Sequence, residues 1–261
     1  STTTLAHSAA TQPGFNASQG AGSSSFTVLA NAAVTCTDGT ITGDVGTFLA
    51  PPTGSITQTS CPVTGTVQVG TQAAADAFSA FVATYAAMTP QPGDACTQLT
   101  GTLAGVVLAP GVYCFDAAAA LTGVLTLQGP ASGTWVFKVG TSGTGALTGT
   151  NFSVVMAGGA QACNVTWWVA QAVTMTTSAF QGNILAGAAI TFTGGTFNGN
   201  AWSKADVTMT GTTVVGCAGV NGGPGTLKQK GFQGVVNCAV GCDTGNSNNH
   251  NPSNDENGGV P

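Results

Sequence analysis

Val173-Thr174-Met175-Thr176, Ile190-Thr191-Phe192-Thr193 and Val207-Thr208-Met209-Thr210 begin at positions 173, 190 and 207, a constant step of 17 residues. The correspondence runs past the quartets. Phe180, Phe197 and Val214 match, as do Gly182, Gly199 and Gly216, and Asn183 matches Asn200. Self-similarity at one fixed period marks a stacked, quasi-one-dimensional fold. Within each unit apolar residues alternate with Thr, the period of a strand whose successive side chains face opposite ways. Val173 and Met175 therefore point inward, Thr174 and Thr176 outward. Such a unit is too short for a strand, a crossover helix and a return strand, so the shortest closed path is one coil of a parallel β-solenoid.

Stacking places each residue about 4.8 Å above its counterpart. Thr174, Thr191 and Thr208 then form one outward ladder, Thr176, Thr193 and Thr210 a second, and Thr196 with Thr213 a third. Residues 34–44 align without a gap on residues 190–200, so a copy of the late repeat sits near the start of the chain. That first coil either closes the far end of the stack or returns to lie against the C-terminal coils; the alignment permits both.

Between these copies the pattern loosens. Leu99-Thr100-Gly101-Thr102-Leu103, Leu121-Thr122-Gly123-Val124-Leu125 and Leu147-Thr148-Gly149-Thr150-Asn151-Phe152 read as further coils with extra residues looped out and Gly at a sharp corner. Val136, Phe137, Val154, Val155, Trp167, Val169, Ile184 and Leu185 are expected to fill the interior. Each buried side chain of this kind stabilises by roughly 1.5–3 kcal/mol, so the fold needs no cofactor to hold it. Ala74, Phe78, Phe81, Val82, Tyr85 and Met88 instead recur at spacings of three and four, which predicts a helix over residues 71–89, ended by Pro90 and Pro92. At about 27 Å it matches five or six rungs and is expected to lie along the stack and cover one apolar face.

These elements suit one large domain over residues 26–217. It is flanked by a polar arm (1–25), a Gly-rich, Cys-containing extension (218–242) and an Asn, Ser, Gly and Pro tail (243–261). Only 5% of residues are charged, with four Lys and no Arg, and the net charge is −5. Nucleic acid and anionic membranes are poor partners for such a chain, because both are held by Lys and Arg. No apolar run approaches the ~20 residues of a membrane span. Eight Cys point to an oxidising compartment and, with no signal segment in view, to a secreted protein from which a leader has been removed. Cys96 and Cys114 flank a single coil and are the pair proposed as a disulfide; the pairing of Cys36, Cys61, Cys163 and Cys217 stays open.

The inventory for catalysis is poor. Between Ser23 and Cys217 there is no His, Glu or Arg, and the ionisable groups besides Cys and Tyr are Asp38, Asp44, Asp76, Asp94, Asp116, Asp206, Lys138 and Lys204. Asp44 stands where Asn183 and Asn200 stand, which suits hydrogen bonding of a corner better than acid–base work. His7 and His250 fall in the two tails, and no Cys-x-x-Cys lies beside a clustered His, so neither a metal nor a cofactor is expected. Asn16, Asn151 and Asn164 begin Asn-x-Ser/Thr triplets, which matter only in a glycosylating host. The Thr ladders are the remaining candidate. Thr is a good strand former, but a merely soluble surface would use Lys and Glu at those places. Rows of methyls and hydroxyls at the rung period, and at about 6.6 Å along the strand, are complementary to ordered water.

The sequence resembles the secreted ice-binding β-solenoid proteins of cold-adapted bacteria, fungi and algae. Four stretches carry the likeness, Ile41-Thr42-Gly43-Asp44-Val45-Gly46, Leu108-Ala109-Pro110-Gly111-Val112-Tyr113-Cys114-Phe115, Gly159-Ala160-Gln161-Ala162-Cys163-Asn164-Val165-Thr166-Trp167 and Gly182-Asn183-Ile184-Leu185-Ala186. The resemblance implies a mostly β protein, a right-handed parallel β-helix of triangular section with one long α-helix alongside and a first coil out of sequence order. It also implies a non-enzymatic protein whose partner is the ice surface. In that family the ice-binding face often reads Thr, Ala or Gly, any residue, then Thr or Asn. Thr193-Gly194-Gly195-Thr196, Thr210-Gly211-Thr212-Thr213 and Thr148-Gly149-Thr150-Asn151 match that pattern. Thr37-Asp38-Gly39-Thr40 keeps both Thr, and Thr176-Thr177-Ser178-Ala179 only the first. The candidate ice-binding residues are therefore Thr37, Thr40, Thr148, Asn151, Thr176, Thr193, Thr196, Thr210 and Thr213, with Thr174, Thr191 and Thr208 left open. A second reading is a structural subunit of an extracellular filament or matrix, self-associating through the polar tails.

Overall fold

The computed structural model describes residues 26–217. The expected arm, extension and tail, with His7, His250, Asn16, Cys238 and Cys242, lie outside the described residues. Each late coil has three sides. Strand Ala201–Ser203 forms the first, Val207–Thr210 the second and Thr213–Val215 the third; in the preceding coils one longer strand, such as Ile190–Asn198, turns the corner and supplies both the second and third sides. The strands pair in parallel with their counterparts above and below.

The order of strands up the first side settles where the first coil goes. It runs Val67–Val69, Asp44–Thr47, Phe26–Ala30, Ala201–Ser203, Asn183–Ala186, Val165–Val169, Trp135–Val139, Gly111–Phe115 and Thr97–Gln98. The first described coil therefore lies against the C-terminal coil. From there the chain winds to one end, returns along the side as a helix, and climbs from the other end back to its own beginning. The junction is sewn by the backbone ladder between Val207–Thr210 and Ala33–Thr37. The Ala33 amide also donates to the Asp206 carboxylate (2.9 Å) and the Trp202 indole N–H to the Phe26 carbonyl (2.7 Å).

The returning helix is Gln72–Met88, with Thr71 as N-cap accepting from the Ala74 amide. Phe78, Phe81, Tyr85 and Met88 bury one stripe against Phe26, Leu29, Val136, Trp168, Leu185 and Trp202, which come from five neighbouring strands. This is the predicted face-covering role, and it corrects one expectation. Val136 and Leu185 do not fill the interior of the coil; they point outward beneath the helix, because both faces of a covered strand are apolar and alternation loses its meaning there. Val155 is likewise not interior but 45% exposed on the third side. The interior contains Tyr113, Phe137 and Trp167 in a stack, with 3.9 Å between the Phe137 and Trp167 ring centroids.

Beyond the helix end, the loop before Thr97–Gln98 is fastened to the same side by the buried Lys138 ammonium, 3.0 Å from Asp94, and by the Cys96–Cys114 disulfide expected from the sequence. The Gln91 amide, and then Lys138, hold the Asp94 carboxyl below its usual range. Cys36–Cys61 and Cys163–Cys217 complete the described disulfides.

Tyr85 anchors the helix through its hydroxyl, which lies 3.2 Å from the Val169 carbonyl, and burial pushes its pKa from 10.0 up to about 12. A buried phenol stays protonated where an unfolded one ionises, so its contribution is complete below pH 10.0 and lost as pH rises to about 12. Thermal unfolding followed by circular dichroism should show the melting temperature falling across that window, and Tyr85→Phe should flatten the fall.

Another correction concerns the middle coils. Leu121 does not sit beside Leu147; it lies opposite Gly149, and Ala119 lies opposite Leu147. A slip of two residues keeps every side chain on its own face, so the apolar pattern alone does not detect it.

Candidate functional site

The second side of the coil carries no covering element among the described residues, and its outward positions are almost all Thr. One column runs Thr148, Thr174, Thr191, Thr208, Thr35 and Thr57, each opposite the next across a parallel ladder. The next column runs Thr150, Thr176, Thr193, Thr210, Thr37 and Thr59 in the same strands. Six rungs thus each present Thr-x-Thr, and no register shift interrupts the ladders between them. Five intervals of about 4.8 Å make the array roughly 24 Å long, and two strand residues set its columns about 6.6 Å apart.

What lies beneath keeps the array level. Leu147, Val173, Ile190, Val207 and Val34 form one buried row and Gly149, Met175, Phe192, Met209 and Cys36 the other. Gly149 is small because the Met175 thioether occupies the place where its Cβ would be. None of the twelve Thr is buried. Among the described residues, the only hydrogen bond made by an array hydroxyl is the long one from Thr148 to the Ala119 carbonyl, 3.4 Å. Some Thr hydroxyls elsewhere are spent within the protein. Those of Thr47, Thr84 and Thr89 bond backbone carbonyls, and that of Thr66 bonds Asp44. Apart from that of Thr148, the array hydroxyls make no hydrogen bond among the described residues.

A corner closes the side. Asp38, Asn151, Thr177, Gly194 and Gly211 occupy its first position, with φ of 51°, 48°, 49°, 68° and 62°. This left-handed conformation favours Gly and is tolerated by Asn and Asp, which accounts for most of the residue types there. Beyond the corner Thr196, Thr213 and Thr40 stack in register on the third side, and Ala179 and Ser153 continue that column.

The residues singled out in the sequence therefore divide. Thr37, Thr176, Thr193 and Thr210 share one column of the array, and Thr40, Thr196 and Thr213 share the column beyond the corner. Thr148 falls in the other array column, beside Thr174, and Asn151 is a corner residue. The Thr148–Asn151 match to the family pattern is out of step by two residues with the other copies, since Thr150 is what stacks on Thr176. Sequence reasoning missed Thr35, Thr57, Thr59 and Thr150 as members of the array. Thr57 and Thr59 were hidden by Gln58, a polar residue at an inward place where the stack ends.

The acids serve corners and joints. Asp44 accepts from the amide and hydroxyl of Thr66, and its repeat counterparts act alike: Asn183 accepts from the Asn200 amide (3.1 Å) and Asn200 from the Cys217 amide (3.2 Å). Asp116 bonds Thr141, and Asp206 holds Ala33. Among the described residues no three metal-ligating side chains come together, and no helix is long and apolar enough to cross a membrane.

Among the described residues the molecule is thus a helix-braced β-solenoid with an uncovered, uncharged side of paired Thr. Residues 28–215 match the ice-binding-like family, and the chain belongs to that family. It is 32% identical over 185 residues to an ice-binding protein of Typhula ishikariensis, covering 63% of this chain and 74% of that one. An ice-binding protein of Flavobacterium frigoris is 34% identical over 164 residues, covering 56% of each chain, so the match spans just over half of that relative. The crystal structure of an ice-binding protein from the Antarctic ascomycete Antarctomyces psychrotrophicus superposes with a TM-score of 0.66 at 32% identity, over 74% of this chain and 94% of that one. The sequence-based expectation of a parallel solenoid with one helix is met by the fold these proteins share.

Proposed function

We propose that this protein binds ice through the Thr-x-Thr side, as a secreted protein that adsorbs to a surface and performs no catalysis. The observation that carries this reading is the twelve-Thr array, of whose hydroxyls only that of Thr148 makes a hydrogen bond among the described residues, standing on a floor that is buried beneath five of its six rungs. Each Thr offers a methyl and a hydroxyl to the water layer. One such contact is weak, but many presented by one rigid body engage together, and linked contacts of this kind gain about 10²–10⁴ in avidity. A level floor matters because flexible side chains would lose their freedom on binding, whereas β-branched Thr on a strand has little left to lose. The disulfides support an oxidising, extracellular setting. The family relatives are named for ice binding, which favours this reading over a filament subunit.

The test is capture by a growing ice front. Purified protein slowly frozen from dilute solution should concentrate in the ice fraction, while a co-dissolved protein of similar size is excluded. Equal exclusion of both would refute the proposal.

A further inference from the structure

We infer that this protein pairs end to end with a second copy of itself, through the open end of the stack and about a two-fold axis at Thr57. The two ends of the solenoid are built differently. At one, the outermost strands Thr97–Gln98 and Val107–Leu108 are two residues each. There Leu103 turns inward with φ 61° and is 3% exposed, and the Cys96–Cys114 disulfide ties the chain down. At the other end the outermost strands are Ser55–Thr59 and Val67–Val69, and no described strand pairs with their outer edges. Ile56, Val63 and Val67 stand in register with the interior residues Val34, Ile41 and Val45. The apolar interior therefore runs out to this end uncovered, and Val67 is 46% exposed. Residues 45–75, which include the whole end coil, contain no charged side chain, and neither edge strand holds a Pro or a bulge. Sheet proteins guard such edges with Lys, Pro or a short strand because a bare edge templates pairing with another chain, and a solenoid's terminal coil is ordinarily polar on its outer face.

The longer edge is complementary to itself. The Ser55 amide donates to the Ala32 carbonyl (3.0 Å), and the Thr59 carbonyl accepts from the Asp38 amide (2.8 Å). Successive residues of a strand turn their peptide groups to opposite edges, so Ser55, Thr57 and Thr59 bond into the stack while the amides and carbonyls of Ile56 and Gln58 face out of it. An antiparallel copy centred on Thr57 sets Ile56 opposite Gln58 and Gln58 opposite Ile56, which satisfies every one of those outward groups. A parallel, head-to-tail copy would instead have to use the other end, where the strands are two residues long. The two-fold arrangement closes after two copies and builds no filament. Directly opposite residues share a face, so Thr57 meets Thr57 outward, and the column from Thr148 to Thr57 continues into its twin at unbroken rung spacing. The same axis lays the first side of one copy over the third side of the other and covers Val63 and Val67. With a net charge of −5, two copies meet with least repulsion at this uncharged end. A five-residue side is about 17 Å long, so the end face is on the order of a few hundred Å², under the roughly 800 Å² per partner of a standard interface; the dimer is weak and concentration-dependent.

The experiment is sedimentation equilibrium of the full chain, Gln58→Lys and Gln58→Pro, from about 10 µM to about 1 mM. Gln58 is exposed and its amide faces out of the stack, so neither substitution removes a bond the fold uses, and both guard the edge as natural sheets do. The weight-average mass of the parent should rise toward twofold, while both variants stay monomeric with unchanged melting temperature. Under mild oxidation Thr57→Cys should form a covalent dimer, its Cα about 4.5 Å from its twin, whereas Thr35→Cys, one rung back, should not. A parent that stays monomeric throughout, as it would if other residues of its own chain or solvent alone covered this end, overturns the inference. Dimerisation undiminished in both Gln58 variants also overturns it, by placing the contact elsewhere. Neither readout involves ice, so failure here leaves the proposed function standing.

Discussion

Thr208→Tyr should reduce thermal hysteresis by roughly an order of magnitude, because avidity built from about 10²–10⁴ of linked weak contacts collapses when the rungs are held off the surface together. Thr208 stands mid-array, flanked by Thr191 and Thr35 in its own column and by Thr210 in its own strand. A ring there projects beyond the Thr methyls, and the rigid floor of Val207 and Met209 prevents its retraction. The melting temperature should shift little, since exposed substitutions on a strand change stability by about 0.5 kcal/mol or less. Nanolitre osmometry and calorimetry on the same preparation check both parts. Retained hysteresis would remove the array from the binding site.

Trp168→Ala should do the reverse. Trp168 is 3% exposed between the sheet and the helix, its ring centroid 5.1 Å from that of Tyr85, and its indole N–H donates to the Tyr85 carbonyl at 3.0 Å. Deleting a buried Trp costs about 3–5 kcal/mol, which for a domain of this size lowers the melting temperature by roughly 10 °C. Ice capture measured near freezing, where the variant is still folded, should survive, because Trp168 supports the helix-covered side and not the Thr side. Loss of ice capture by a folded Trp168→Ala protein would mean that the helix side takes part in binding.

How much of this was legible in the sequence follows from periodicity. The step of 17 pinned Thr174, Thr191 and Thr208 beside one another, and the alignment of residues 34–44 set Thr37 and Thr40 in their columns; the ladders place them there. Where the step changes, the only guide left is alternation, which is blind to a shift of two. That is why Thr148 was grouped with Thr176 when Thr150 is its neighbour, and why Leu121 was set against Leu147. The helix side was misread in part for a related reason. Leu185 and Val136 are apolar because a helix covers them, and a strand buried on both faces gives no sign of which residue points where. The position of the first coil was beyond the alignment altogether, since a repeat resembles every other repeat equally. Contacts outside the repeat, such as Asp206 to Ala33 and Trp202 to Phe26, mark the junction.

The central claim is that ice is met by the Thr-x-Thr side of the coil and not by the helix side. The most direct measurement is the ice-captured fraction of the parent, Thr191→Tyr on the array and Ala83→Tyr on the exposed face of the helix, frozen side by side. Parent and Ala83→Tyr should enter the ice equally while Thr191→Tyr stays in the liquid. Capture lost in Ala83→Tyr, or undiminished in Thr191→Tyr, would contradict it.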